Sequence, residues 1–197
     1  MFNAYKDFIM SNRLTLSETI FICILASSLG IAWWAYSFAY NIISPVLKPL
    51  GISGLLEGFW HMGGIFFGYI IRKPGSALLG ETIAATVEGL ISQWGISAVI
   101  SGACQGLPVE ILFLICRYKV SSKSICALGG VVSAIGGYLV TYYWFGYGEL
   151  SLKYNLLNLG CNIISAAIIG GLLSRYLANQ LAKAGVLNQY RISHDQD

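Results

Sequence analysis

Six long apolar runs, each closed by a short polar or Gly/Pro-containing break, organise the chain. They cover about residues 17–39, 52–71, 76–93, 97–117, 124–145 and 154–176. Each approaches or exceeds the ~20 residues that a helix needs to cross a hydrocarbon core of roughly 30 Å. The breaks carry turn chemistry: Pro45 and Pro49, Arg72-Lys73-Pro74-Gly75, Gly95, Arg117 to Lys123, and Gly146 to Lys153. The pattern predicts an all-α membrane protein, a bundle of six transmembrane helices in one integral-membrane domain spanning 1–197. The first outer connection, residues 40–51, is long enough to fold over a site as a lid.

Composition agrees with this reading. Of 197 residues, 56% are hydrophobic and 11% charged, against roughly 25% charged in a soluble domain. Ten of the 12 Lys and Arg fall in the N-terminal lead-in, the alternate breaks and the tail; Lys48 and Lys153 fall in the others. Cytoplasmic segments carry the excess of Lys and Arg, so both termini are expected on the cytoplasmic side. The opening MFNAYKDFIMSNRLTLSE reads as an interfacial lead-in, without the short apolar core and cleavage site of a signal peptide. No basic patch interleaved with aromatic residues suggests nucleic acid. The five cysteines form no CxxC pair and read as packing residues. There is no HExxH and no Gly-rich loop ending in Gly-Lys-Ser/Thr, so neither a metalloprotease nor an ATPase is indicated.

Polar residues inside the runs carry the candidate chemistry. Glu57, Trp60 and His61 share an i, i+3, i+4 face in the outer half of the second helix, and Glu57 and His61 could pair with each other. Glu81 and Glu88 lie seven residues apart on the third helix, on one face and about 10 Å apart along the axis. A charged acid at the bilayer centre costs about 2.5–3.5 kcal/mol even on the lenient scale. Both carboxylates are therefore expected to face a polar interior. In GACQGLPVEILF, Pro108 and Gly106 weaken the fourth helix near Gln105, with Glu110 below. Gly129, Ser133 and Gly137 form a packing ladder on the fifth helix, whose aromatic end holds Tyr138, Tyr142 and Trp144. Asn155, Asn158 and Asn162 stripe the sixth, above Ala166, Gly170 and Ser174. Interhelical hydrogen bonding would account equally well for His61 and for the asparagines. Trp33, Trp34, Tyr36 and Tyr40 lie beside the expected lid.

Polar and aromatic groups thus collect in the outer halves, while the inner halves are apolar and small. That asymmetry predicts a pocket open to the outside with a closed floor. Its inventory is acids, amides, a histidine and aromatic rings, with no cation in the outer membrane half. A cationic or neutral nitrogen heterocycle suits it, because aromatic faces attract cations by ~2 kcal/mol or more when desolvated.

The run RKPGSALLGETIAATVEGLISQWG followed by GACQGLPVEILF resembles the thiamine/hydroxymethylpyrimidine branch of the substrate-binding (S) components of energy-coupling factor vitamin transporters. The likeness covers roughly residues 15–180. It implies no enzyme and no cofactor, but a subunit that captures thiamine near the outer face. A transmembrane coupling (T) protein and ATP-binding-cassette ATPases would supply the energy. Carried onto this chain, Glu88 becomes the principal carboxylate. Gln105, Asn158 and Asn162 become polar readers, and Trp34, Trp60 and Tyr142 stacking surfaces. Glu57 and His61 rank second, and Glu81 lies toward the floor. The family's Ala-x-x-x-Ala docking patch on the first helix has its literal match, Ala35 to Ala39, at the wrong end; Ala26 and Gly30 are better placed. The alternatives are capture of the pyrimidine precursor, a free-standing proton-coupled transporter with Glu81 and Glu88 as relay, and a non-transporting scaffold.

Overall fold

A computed structural model describes residues 12–120 and 122–192; most of the lead-in and His194 lie outside that range. Six spans form the bundle. Helix α1 (Leu16–Leu47) starts in a capping box: Thr15 Oγ1 accepts the Glu18 N–H, while Glu18 accepts the Thr15 N–H at 2.8 Å. The second span is a 3-10 helix, Ser53–His61, continued as α2 (Met62–Ile71). Then come α3 (Ser76–Ile91), α4 (Ile96–Ile115) and α5 (Lys123–Tyr143). The sixth is α6 (Leu152–Ser165), a π-helical stretch Ala166–Leu173, and α7 (Ser174–Lys183). Four helices are long and apolar enough to cross a membrane: Leu16–Leu47, Ile96–Ile115, Lys123–Tyr143 and the continuous Leu152–Lys183.

The spans α1, α3, α4, α5 and α6 pack in an arc, with the second span threaded along its inside. Nearly every residue of α2 is buried. Large apolar side chains point outward instead, among them Ile20, Ile24, Leu107, Ile111, Leu156 and Ile168. In lipid there is no penalty for that, so polarity rather than hydrophobicity marks the inside of this fold.

Two features differ from the sequence expectation, the first being the breaks expected at prolines. The 40–51 break is mostly helix, because Pro45 sits inside α1 and the chain turns only after Leu47, through Gly51 at φ +72°. A proline removes one backbone donor and disturbs the preceding turn, yet here the helix runs on to Leu47 before it ends. Residues 40–51 are therefore not a free lid. Pro108 likewise sits within an unbroken α4, with Gly136 of α5 against the Cys104 carbonyl, which the proline leaves without its helical donor.

The second difference is the 3-10 turn itself. Such geometry holds its backbone bonds poorly, and at membrane depth spare carbonyls need donors. Side chains from three neighbouring spans supply them. Ser165 donates to the Leu55 carbonyl at 2.6 Å, Tyr36 to Leu56 at 2.8 Å and Trp33 Nε1 to Phe59 at 2.9 Å. Gln105 supplies the fourth, to Trp60, at 2.9 Å. Gly54 and Gly58 bring this segment against the α6 backbone: a Cβ on Gly54 would stand 2.3 Å from the Asn158 carbonyl oxygen.

The opposite end of the bundle is sealed. Residues 184–192 fold back with Leu187, Tyr190 and Ile192 buried, Tyr190 packs on Phe21, and Arg191 donates to the Arg72 carbonyl. Lys73 bonds Glu18 at 2.8 Å.

Candidate functional site

A cavity of about 250 Å³ opens at the end of the bundle where α1 turns, where α3 joins α4 and where α5 joins α6. Its walls are largely aromatic: Trp33 and Tyr40 from α1, Trp60 from the 3-10 helix, Trp94 from the α3–α4 turn, and Phe145 after α5. The rings meet edge to face, with Tyr40–Trp60 centroids 5.1 Å and Trp60–Trp94 centroids 6.3 Å apart. Small residues, Ala85, Ala98, Gly102 and Gly137, keep the space between them open.

Two carboxylates enter this space. Glu88 Oε1 accepts from Trp60 Nε1 at 2.8 Å and from Ser37 Oγ at 3.0 Å. Ser37 in turn accepts from Trp94 Nε1 at 3.0 Å. Glu57 Oε2 accepts from Asn162 Nδ2 at 2.7 Å. In each acid the other oxygen has no protein donor among the described residues, although both side chains line the cavity. The acids are thus held by one oxygen and can offer the second to a ligand.

The polar stripe expected on the second span is split by the 3-10 turn. Trp60 turns to Glu88 on α3, whereas His61 turns to α5 and α6, with Nδ1 2.9 Å from Ser133 Oγ and Nε2 2.9 Å from Asn162 Oδ1. Glu57 and His61 do not pair; Asn162 stands between them. Of the asparagine stripe, Asn162 lines the cavity. Asn158 instead donates to Ser53 Oγ at 2.9 Å, and Asn155 ties the α5–α6 connection by donating to the Tyr147 carbonyl at 2.8 Å.

The two glutamates of α3 have separate positions. Glu88 lines the cavity; Glu81 lies beneath it, buried, and its Oε2 accepts the Gly64 N–H. That donor lies just past the point where the 3-10 helix passes into α2, so Glu81 holds a backbone N–H at the junction. Glu110 caps α3 from the side, accepting from Gly75 N at 2.7 Å and from Ala77 N and Leu78 N at 3.2 Å. Glu110 thus sits at the positive end of α3. Gln105 lines the cavity floor above Glu81.

Two expected aromatic contacts are corrected. Trp34 packs edge-on against Phe38 away from the cavity, and its neighbour Trp33 is the one that faces in. One residue on a helix turns the side chain by 100°, and the polar mark of the inward face is Ser37, one turn on from Trp33. Tyr142 is 37% exposed and packs on Tyr143, while Thr141 and Phe145 line the wall. The cavity also holds a cation that the sequence reading excluded. Lys48, directly after α1, lies at the mouth, its Nζ 5.6 Å from the Tyr40 ring centroid. Trp94 was missed as well: it stands in a turn, where helical periodicity assigns no face.

A six-span membrane bundle with a sealed end and an acid-lined aromatic cavity is the form of a solute-binding transport component. A profile described as ABC-type cobalt transport system, permease component, matches residues 17–136. A Bacillus subtilis (strain 168) protein provisionally named HMP/thiamine permease protein YkoE is 30% identical over 172 residues, 87% of this chain and 86% of that protein. A crystal structure described as an S-component of an ECF transporter superposes with a TM-score of 0.82 at 28% identity, covering 93% of each chain. The chain belongs to this family of membrane transport permeases, as an S component of the energy-coupling factor type, and is not an enzyme.

Proposed function

We propose that this chain captures thiamine from outside a bacterial cytoplasmic membrane and hands it to an ATP-driven importer. The observation that carries the reading is the pair of tethered carboxylates, each with one oxygen left for a ligand, inside an aromatic-walled cavity. Thiamine joins a permanent cation to an aminopyrimidine. Aromatic faces attract the first, and carboxylate and amide oxygens accept from the second. The relative's name, HMP/thiamine permease, supports the same ligand class. The cobalt of the family description has less support, because among the described residues no three His, Cys, Asp or Glu side chains group as a metal site.

Beneath the cavity Ile65, Phe67, Ile70, Val109 and Phe113 are fully buried. A proton relay through Glu88 and Glu81 would end in this apolar floor. Release on the far side therefore requires a rearrangement driven by other subunits, which favours a T protein and ATP-binding-cassette ATPases over free-standing proton coupling. Lys48 gives a second ligand specific support: a cation at the mouth opposes thiazolium but is indifferent to the neutral hydroxymethylpyrimidine.

Titration of the purified chain by tryptophan fluorescence tests the reading, since Trp33, Trp60 and Trp94 all line the site. Saturable quenching by thiamine is expected. Glu88→Gln should weaken it roughly 10- to 100-fold, as for loss of a hydrogen bond to a charged group. Tight binding of the pyrimidine alone would select the second ligand, and no response to either would sink both.

A further inference from the structure

We infer that Glu81, which does not line the cavity, sets the hydrogen-bonding polarity of its floor by holding the Gln105 amide in one orientation. The inference rests on the reading of this cavity as a site for an aminopyrimidine ligand. A glutamine side chain presents a carbonyl oxygen on one side and two N–H donors on the other, and its neighbours decide which way it points. Below Gln105 stand two acceptors, Glu81 Oε1 and the Trp60 carbonyl oxygen, each 2.9 Å from the amide nitrogen when that nitrogen faces them. The reverse orientation would press three oxygens together. Both amide hydrogens are consequently consumed by these two acceptors, and Oε1 is the atom left beside Gly137 on the cavity wall.

Glu81 has little freedom to do otherwise. Its second oxygen holds the Gly64 N–H, and glycines close around it: a Cβ on Gly63 would stand 2.6 Å from Oε2, and one on Gly106 3.0 Å from its Cβ. On the cavity side, a Cβ on Gly137 would stand 2.7 Å from Gln105 Cγ, so the glutamine stem is confined too. With the free oxygens of Glu88 and Glu57, the cavity then offers acceptors on three sides. It selects ligands that donate: an amino group on the ring, rather than the oxo group of an otherwise identical analogue. Glu81 is thus a positioning residue for specificity, acting through Gln105.

Glu81→Gln removes the lock without changing shape. If the new amide keeps its oxygen on the Gly64 N–H, its NH2 faces the Gln105 NH2; if it reverses, its NH2 faces the Gly64 N–H. The first arrangement is favoured, because the backbone N–H of Gly64 cannot turn away and keeps an acceptor, and in it Gln105 loses its preferred orientation. Thiamine and its 4-oxo analogue, oxythiamine, are titrated against wild type, E81Q, Q105A and the double variant. The expected result is a thiamine preference that falls roughly tenfold or more in E81Q, as when a site built for one hydrogen-bonding pattern is scrambled. In the Q105A background E81Q should leave the preference unchanged. Equal weakening of both ligands, or the same shift without Gln105, overturns the inference.

A ligand-free measurement separates its failure from that of the thiamine reading. With selective 15N-glutamine labelling, and Q105A to assign the signal, the Gln105 side-chain protons should exchange slowly in wild type. Fast exchange in wild type overturns the proposed orientation even if E81Q cannot be folded. Slow exchange upholds that orientation even if the chain ignores thiamine.

Discussion

At the residue scale, adjacent side chains have opposite fates. Trp33 is 1% exposed, bonds the Phe59 carbonyl and lines the cavity, whereas Trp34 looks away. Trp33→Leu should therefore weaken thiamine binding by tenfold or more, while Trp34→Leu leaves it within about twofold, the order expected for losing versus keeping a desolvated cation–π face. Calorimetric titration of both variants checks this, and equal losses would mean that the ligand sits elsewhere. Lys48 permits a charge test. An exposed ammonium at the mouth opposes a cationic ligand by about 0.2–1 kcal/mol, as for exposed pairs generally. Lys48→Met should tighten thiamine up to about fivefold at low salt, less at high salt where screening grows, and leave the neutral pyrimidine unchanged. Glu88, Gln105, Trp60, His61, Glu57 and Asn162 were legible as cavity residues because a polar group in an apolar run needs an interior. The face of Trp33 was marked only by Ser37, one turn on, and Lys48 was not legible, since hydropathy alone does not fix the end of a helix that continues through Pro45.

At the element scale, much of the interior polarity holds backbone rather than ligand. The 3-10 helix Ser53–His61 depends on Ser165, Tyr36, Trp33 and Gln105 for its carbonyls, Glu81 holds its junction with α2, and α3 takes its N-terminal acceptor from Glu110. None of this is readable from SGLLEGFWH, because 3-10 geometry there follows from contacts with other spans. The π-helical stretch Ala166–Leu173 is similarly silent in sequence, its close approach to α5 arising where a Cβ on Gly130 would stand 2.1 Å from the Ala166 carbonyl oxygen. Capping by an acid from another helix gives a separable test. Glu110→Ala leaves three N–H groups of the α3 start unserved at a cost of roughly 1–3 kcal/mol, which for a chain of this size lowers the melting temperature by roughly 2–10 °C. Thiamine affinity of the folded fraction should not change, because Glu110 is outside the cavity. Loss of affinity at unchanged melting temperature would instead place Glu110 in the binding machinery.

At the scale of the whole molecule, the two ends are chemically distinct. Lys48 and Lys153 lie toward the cavity end; Arg13, Arg72, Lys73, Arg117, Lys119, Lys123, Arg175, Lys183 and Arg191 fall at or near the sealed end. A bias of this kind in short loops sets orientation, so the mouth should face away from the cytoplasm. The six-span pattern and this charge bias could be read from sequence because lipid imposes both on every span; the expected lid does not hold, because the helix runs on through Pro45 to Leu47. The orientation makes a vesicle experiment decisive. Right-side-out vesicles containing the chain alone should bind labelled thiamine and release it fully on dilution, with no accumulation under a proton gradient, because Phe67, Ile70 and Phe113 close the path below. Inside-out vesicles should bind only after permeabilisation. Adding the T protein and its ATPases should convert binding into ATP-dependent uptake in the first preparation. Binding confined to sealed inside-out vesicles would reverse the orientation, and proton-driven accumulation by the chain alone would show that the apolar floor opens without partners.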